Sequence, residues 1–192
     1  MKFTFLAVFL AGALALTACS SKTYTYDGPE VTRILVYKDS RKMYLMHHDV
    51  ALKVVDIDLG FEPRGHKERE GDGRTPVGDY IIDRRNPQSS FHLSLGISYP
   101  NAADMARAQE LGVEPGGDIF IHGQPNGLRK ALNRDWTSGC IAVTDEEMRQ
   151  IYAMVRTGTP ISLIENSAAS AEGNSATAVL GPLGAVGQIR NQ

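Results

Sequence analysis

Three runs rich in β-branched and aromatic residues follow one another almost without a break: residues 31–38 (VTRILVYK), 42–47 (KMYLMH) and 50–59 (VALKVVDIDL). Asp39-Ser40 turns the chain between the first two, and His48-Asp49 makes a tighter turn before the third. Strands joined this closely can pair only antiparallel, because a parallel pair needs a crossover of a dozen or more residues. The chain therefore commits early to a three-strand antiparallel meander.

The rest of the sequence adds to that start. Residues 60–78 (GFEPRGHKEREGDGRTPVG) are rich in Gly, Pro and charge and read as one long loop, a length that in small domains is often functional. Short strands are expected at 79–83, 91–95, 118–122, 140–143 and 160–164. Residues 102–111 have the composition of a short exposed helix with Asn101 as N-cap. Thr144 and Glu147 form a capping box for a second helix running to about Thr157, stopped by Gly158, with Met148, Ile151, Tyr152 and Val155 on its inward face. The fold class is mostly β, a sandwich or barrel with two or three short helices, over residues 30–165. Residues 166–192 are small and polar, and a disordered tail is expected there.

The N-terminus carries a separate signal. Met1-Lys2 is followed by an apolar run (FTFLAVFLAGALAL) that suits a secretory signal and is short for a membrane span. It ends at Leu16-Thr17-Ala18-Cys19, which resembles the lipobox of bacterial lipoproteins. That resemblance implies removal of residues 1–18, lipidation of Cys19, a tether over residues 19–29, and attachment to a membrane surface through acyl chains. Ser20-Ser21 follows with no Asp, which by the same resemblance implies the outer membrane and a periplasmic location. Loss of Lys2 takes the formal net charge from −2 to −3, and so slight an acidic balance argues against nucleic acid as a partner.

The chain has two cysteines. With Cys19 lipidated, Cys140 has no partner for a disulfide. It follows the turn Thr137-Ser138-Gly139 and opens an apolar strand. Taken alone, Cys140 reads first as a buried, inert thiol. His122 changes that reading: it ends the apolar stretch Ile119-Phe120-Ile121, 18 residues before the cysteine, so neighbouring strands can bring both side chains to one end of a sheet. A histidine beside a thiol can take its proton and leave a thiolate–imidazolium pair. The amides of Gly139 and Cys140 are candidate oxyanion donors. A zinc site built from His66, His92, His122 and Cys140 fits no compact ligand spacing.

His122-Gly123, a loop, then Thr137-Ser138-Gly139-Cys140 resembles the catalytic motif of the YkuD-type L,D-transpeptidases. Gly71-Asp72-Gly73-Arg74-Thr75-Pro76-Val77-Gly78-Asp79-Tyr80, Phe91-His92-Leu93-Ser94 and Ser98-Tyr99-Pro100-Asn101 extend the resemblance, in the right order. It implies a Cys140 nucleophile that forms a thioester with a peptidoglycan stem peptide, with His122 as general acid and base. It implies Gly139, Ser138, Thr137 and Gly123 in support, no metal or organic cofactor, and acylation by carbapenem-type inhibitors. Arg74, His66, His92 and Trp136 are the candidate substrate contacts, each of which also reads as a structural residue. One departure stands out: Ala142 lies where many members of the family carry Arg or Asn. A hydrolase of the same family, trimming stems or detaching wall-linked protein, and a non-catalytic peptidoglycan-binding lipoprotein are the competing readings.

Overall fold

The computed structural model describes residues 24–127 and 133–165, and the backbone of 189–191. The expected signal peptide, the lipidation site Cys19 and most of the expected tail lie outside the described residues.

The meander forms as its sequence requires. β2 (Arg33–Tyr37), β3 (Lys42–His47) and β4 (Val50–Asp56) pair antiparallel, with Ile34 opposite Leu45 and Val36 opposite Met43. Alternation sends Ile34, Val36, Met43, Leu45 and Val55 into the core. β9 (Pro160–Ile164) then lies parallel to β2 and antiparallel to β5 (Gly78–Asn86). β6 (Ser94–Ile97), β7 (Phe120–His122) and β8 (Ile141–Ala142) complete the order β4-β3-β2-β9-β5-β6-β7-β8.

The two edges of this sheet meet. Beyond β4, Asp58 and Ala142 exchange both backbone hydrogen bonds (2.9 and 2.8 Å), and the Thr137 amide donates to the Leu59 carbonyl (3.1 Å). The sheet is curled until β4's continuation seals against β8, which leaves little open edge for pairing with another chain. Leu95, Ile121 and Ile141 face inward, against Met148 and Ile151 of α2 (Asp145–Met154). Thr144 caps α2 in the expected box with Glu147. α1 (Ala102–Leu111) is capped by Asn101 and stopped by Gly112 in a left-handed conformation.

β7 starts at Phe120, not Asp118, whose φ is +55, and β8 covers only Ile141–Ala142, so Cys140 lies just before the strand it was expected to open. Four further details differ from the sequence reading. β6 begins at Ser94, not Phe91, because His92 takes φ +65 and the Phe91 amide turns back onto Ser89 Oγ (3.0 Å). β5 runs on to Asn86. α2 ends at Met154, since Val155 is already extended. Finally, β1 (Tyr24–Tyr26), within the expected tether, pairs with β10 (Ile189–Asn191), within the expected disordered tail. Tyr24 is held there by its hydroxyl, which donates to the Glu146 carboxylate (3.1 Å).

Candidate active site

Thr137 ties the turn that presents Cys140. Its hydroxyl donates to the Cys140 carbonyl (2.7 Å) and accepts from the Gly139 amide (3.1 Å). The Gly139 amide, expected to face an oxyanion, is therefore already engaged; among the described residues the Cys140 amide has no partner. Gly139 has φ +127, and a Cβ on it would lie 2.7 Å from the Arg74 carbonyl oxygen, so no other residue fits. The Cys140 thiol donates to the Asp118 carbonyl at 3.4 Å. Burial pushes the thiol above its ordinary value of 9.0, opposed in part by a hydrogen bond from the Phe120 backbone.

His122 closes β7 and is 4% exposed. Its Nδ1 lies 2.7 Å from the Gly123 carbonyl. A carbonyl can only accept, so Nδ1 carries the proton and Nε2 keeps its lone pair. Burial lowers the imidazole below 6.5, and the Gly123 bond offsets this only in part. The Phe91 ring lies over the imidazole (centroids 4.6 Å apart) and the Trp136 ring meets it edge-on (5.6 Å). His122 pairs with Ala142 in the parallel β7–β8 ladder. Strand alternation carried back from Ala142 puts Cys140 on the same face, with a Cα separation on the order of 8 Å from His122, while the thiol itself is held by the Asp118 carbonyl and the Phe120 backbone. Gly123 is needed beside it: a Cβ there would stand 2.5 Å from Asp145 Oδ1 and 2.9 Å from His92 Cβ.

The long loop 60–78 packs behind the turn. Asp72 is its organiser. Burial alone would raise this carboxyl. Hydrogen bonds from the Lys67 ammonium and the amides of Glu68, Arg69 and Arg74 outweigh that and hold it at about 2. Lys38, with no exposed surface, donates to the Gly65 carbonyl (2.5 Å) and the Thr75 carbonyl (2.9 Å) and forms an ion pair with Glu165 Oε2 (2.8 Å).

Residues 31–163 match the family described as the YkuD L,D-transpeptidase catalytic domain. The chain belongs to that family. YafK of Escherichia coli (strain K12) is 30% identical over 93 residues, which is 47% of this chain and 32% of YafK. Among solved structures, the helical cell shape determining protein Pgp2 from Campylobacter jejuni is 26% identical with a TM-score of 0.55, covering 77% of this chain and 51% of Pgp2. Bd1075 of Bdellovibrio bacteriovorus, 20% identical with a TM-score of 0.52 over 76% of this chain and 53% of Bd1075, shares the fold. The matched part thus spans about a third of YafK and about half of Pgp2.

Within this L,D-transpeptidase domain the four candidate substrate contacts separate. Trp136 stands in the site, against His122 and Phe91. His92 backs Gly123, its Nδ1 3.9 Å from Asp145 Oδ2. His66 is a structural link: Nδ1 accepts from the Val77 amide (3.1 Å) while Nε2 reaches Asp104 Oδ1 (3.1 Å), tying the loop to α1. Arg74 supports the Cys140 turn through its backbone, and its guanidinium reaches Glu68 (3.5 Å). Among the described residues no three His, Cys, Asp or Glu side chains converge to hold a metal ion. Sequence reading did not single out Phe91, Asp118, Lys38 or Asp72. Phe91 looked like the start of a strand, and the other three act through contacts distant in the chain.

Proposed function

We propose that this chain is a cysteine acyltransferase acting on peptidoglycan stem peptides. The observation that carries the proposal is the protonation-defined imidazole: Nδ1 is fixed on the Gly123 carbonyl, so the basic Nε2 is available on the same sheet face as Cys140. Cys140 Sγ attacks the carbonyl between the diamino acid at stem position three and the D-amino acid that follows, as His122 Nε2 takes the thiol proton. The Cys140 amide donates to the oxyanion. The tetrahedral intermediate collapses as His122 returns the proton to the leaving amine, and a Cys140 thioester remains. An amine acceptor resolves it into a crosslink, or water into a trimmed stem. Ala142, buried in the seam with Asp58, brings no polar side chain to the acceptor, which favours water as the second outcome. Family membership supports the substrate class, and the fold shared with a helical cell shape determining protein supports a role in cell-wall shape.

Incubation with purified muropeptides, read by mass spectrometry, tests the proposal. New 3→3-linked dimers or shortened stems are expected, and both disappear in Cys140→Ala and in His122→Ala. Turnover that persists in Cys140→Ala rejects it. A carbapenem should add its mass to Cys140. The export signal, lipidation of Cys19 and a periplasmic, outer-membrane location belong to the same proposal, supported by the apolar run and lipobox-like sequence. Palmitate labelling lost in Cys19→Ala is the expected result.

A further inference from the structure

A cation lies along the row of side chains that contains the nucleophile. Arg84 on β5 pairs with Gly96 on β6, and Gly96 pairs with Phe120 on β7. The β7–β8 register, Ile121 opposite Ile141, puts Phe120 level with Cys140. Arg84, Gly96, Phe120 and Cys140 therefore form one cross-strand row on one face of the sheet. Gly96 has no side chain in the middle of the row, and its neighbours fill that space: a Cβ there would stand 2.4 Å from Asp83 Oδ1, 2.5 Å from Arg84 Cγ and 3.0 Å from Arg84 Nε. Through that space the Arg84 side chain crosses β6 and lays its guanidinium over the Phe120 ring, 4.6 Å from the centroid. Phe120 belongs to the strand beside Cys140, about 4.8 Å away.

The present partner of this guanidinium is easily displaced. Arg84 Nη2 meets Asp118 Oδ1 at 2.9 Å, with Arg84 47% and Asp118 88% exposed. A pair this open contributes little stability, because water solvates both ions well. Asp83 Oδ2 lies further off, at 3.5 Å. Asp118 is also the residue whose carbonyl holds the Cys140 thiol, so the pair stands at the mouth of the site.

Resting on the acyltransferase reading above, we propose that Arg84 seats the terminal carboxylate of the leaving D-amino acid, displacing Asp118. In a stem that ends at this residue, the carboxylate carbon is three bonds from the scissile carbonyl carbon, roughly 3.5 Å away. That distance is what a guanidinium one strand over from the nucleophile can serve, and a carboxylate suits its paired donors. Arg84 then recognises a free chain end, and selects stems with one D-residue after the diamino acid over longer ones.

The test is binding, in the inert Cys140→Ala background, of a tetrapeptide stem and of its C-terminal carboxamide, by calorimetry. The free acid should bind roughly 10- to 100-fold more tightly than the amide, the range for a charge-assisted hydrogen bond. Arg84→Met keeps the apolar stack on Phe120 and should erase that preference, and Arg84→Lys should keep part of it. An acid preference that survives Arg84→Met, or one absent from the Arg84 protein, overturns the proposal. Failure of the acyltransferase reading looks different: Arg84-dependent binding persists while the Cys140 protein turns over neither peptide.

Discussion

Burial acts in opposite directions on the two central residues. It lowers the His122 imidazole and raises the Cys140 thiol, and both changes favour the neutral form. At neutral pH the resting pair is thus a thiol and a neutral imidazole, not the thiolate–imidazolium pair that the sequence suggested. On the acyltransferase mechanism proposed above, the proton moves only when substrate is attacked. Alkylation of Cys140 by iodoacetamide should accordingly rise with pH in a single limb centred above 9.0. A rate plateau between about pH 5 and 7 would mark a resting ion pair instead. His122→Ala should leave alkylation near neutrality almost unchanged while slowing acylation by peptide about 10²- to 10⁴-fold. The Phe91 and Trp136 rings pack against the imidazole, whose burial lowers its pKa. Phe91→Ala should therefore move the acid limb of the pH–activity profile upward, toward the free-histidine value. An unmoved limb would assign the low pKa to other groups.

At the scale of elements, the loop 60–78 behaves as one unit around Asp72. Its carboxyl sits at about 2 in the folded protein against 3.8 in the free residue. A depressed carboxyl stabilises the fold fully above the unfolded value, and that contribution is lost as pH falls through the folded one. Acid unfolding should steepen between about pH 4 and 2, and Asp72→Asn should flatten that limb while lowering the melting temperature at pH 7. An unchanged acid limb would show that the loop's backbone, not Asp72, carries its order. The meander, both capped helices and the His122 and Cys140 strand ends were legible in the sequence because each rests on neighbours a few residues away. The start of β6 was not, since Phe91-His92 has strand composition while His92 takes φ +65 to reach Asn126 and Gly123. Nor was the β1–β10 pair, which joins two stretches whose composition names no partner. Asp72 was quoted as part of a motif, but its four donors converge only once the loop folds.

Over the whole molecule, the parallel β2–β9 pair brings the beginning and end of the domain together, and Lys38 joins them to the loop behind the nucleophile. Two kinds of contact compete as the reason this ammonium tolerates full burial. One is its ion pair with Glu165; the other is its bonds to the Gly65 and Thr75 carbonyls. Glu165 has a second partner, since its Oε1 accepts from the Gly65 amide (2.9 Å), whereas the buried Thr75 carbonyl and the half-buried Gly65 carbonyl take their donor from Lys38. The carbonyls should dominate. Lys38→Met is expected to cost about 3 kcal/mol, a fall in melting temperature of roughly 6–12 °C, and Glu165→Gln less than about 1 kcal/mol. Thr75 adjoins Arg74, whose carbonyl packs on Gly139, so Lys38→Met should also slow acylation of Cys140 at temperatures where the variant is still folded. If Glu165→Gln destabilises as much as Lys38→Met, the ion pair is what holds the two ends, and the loop would keep its place without the ammonium's bonds to its backbone.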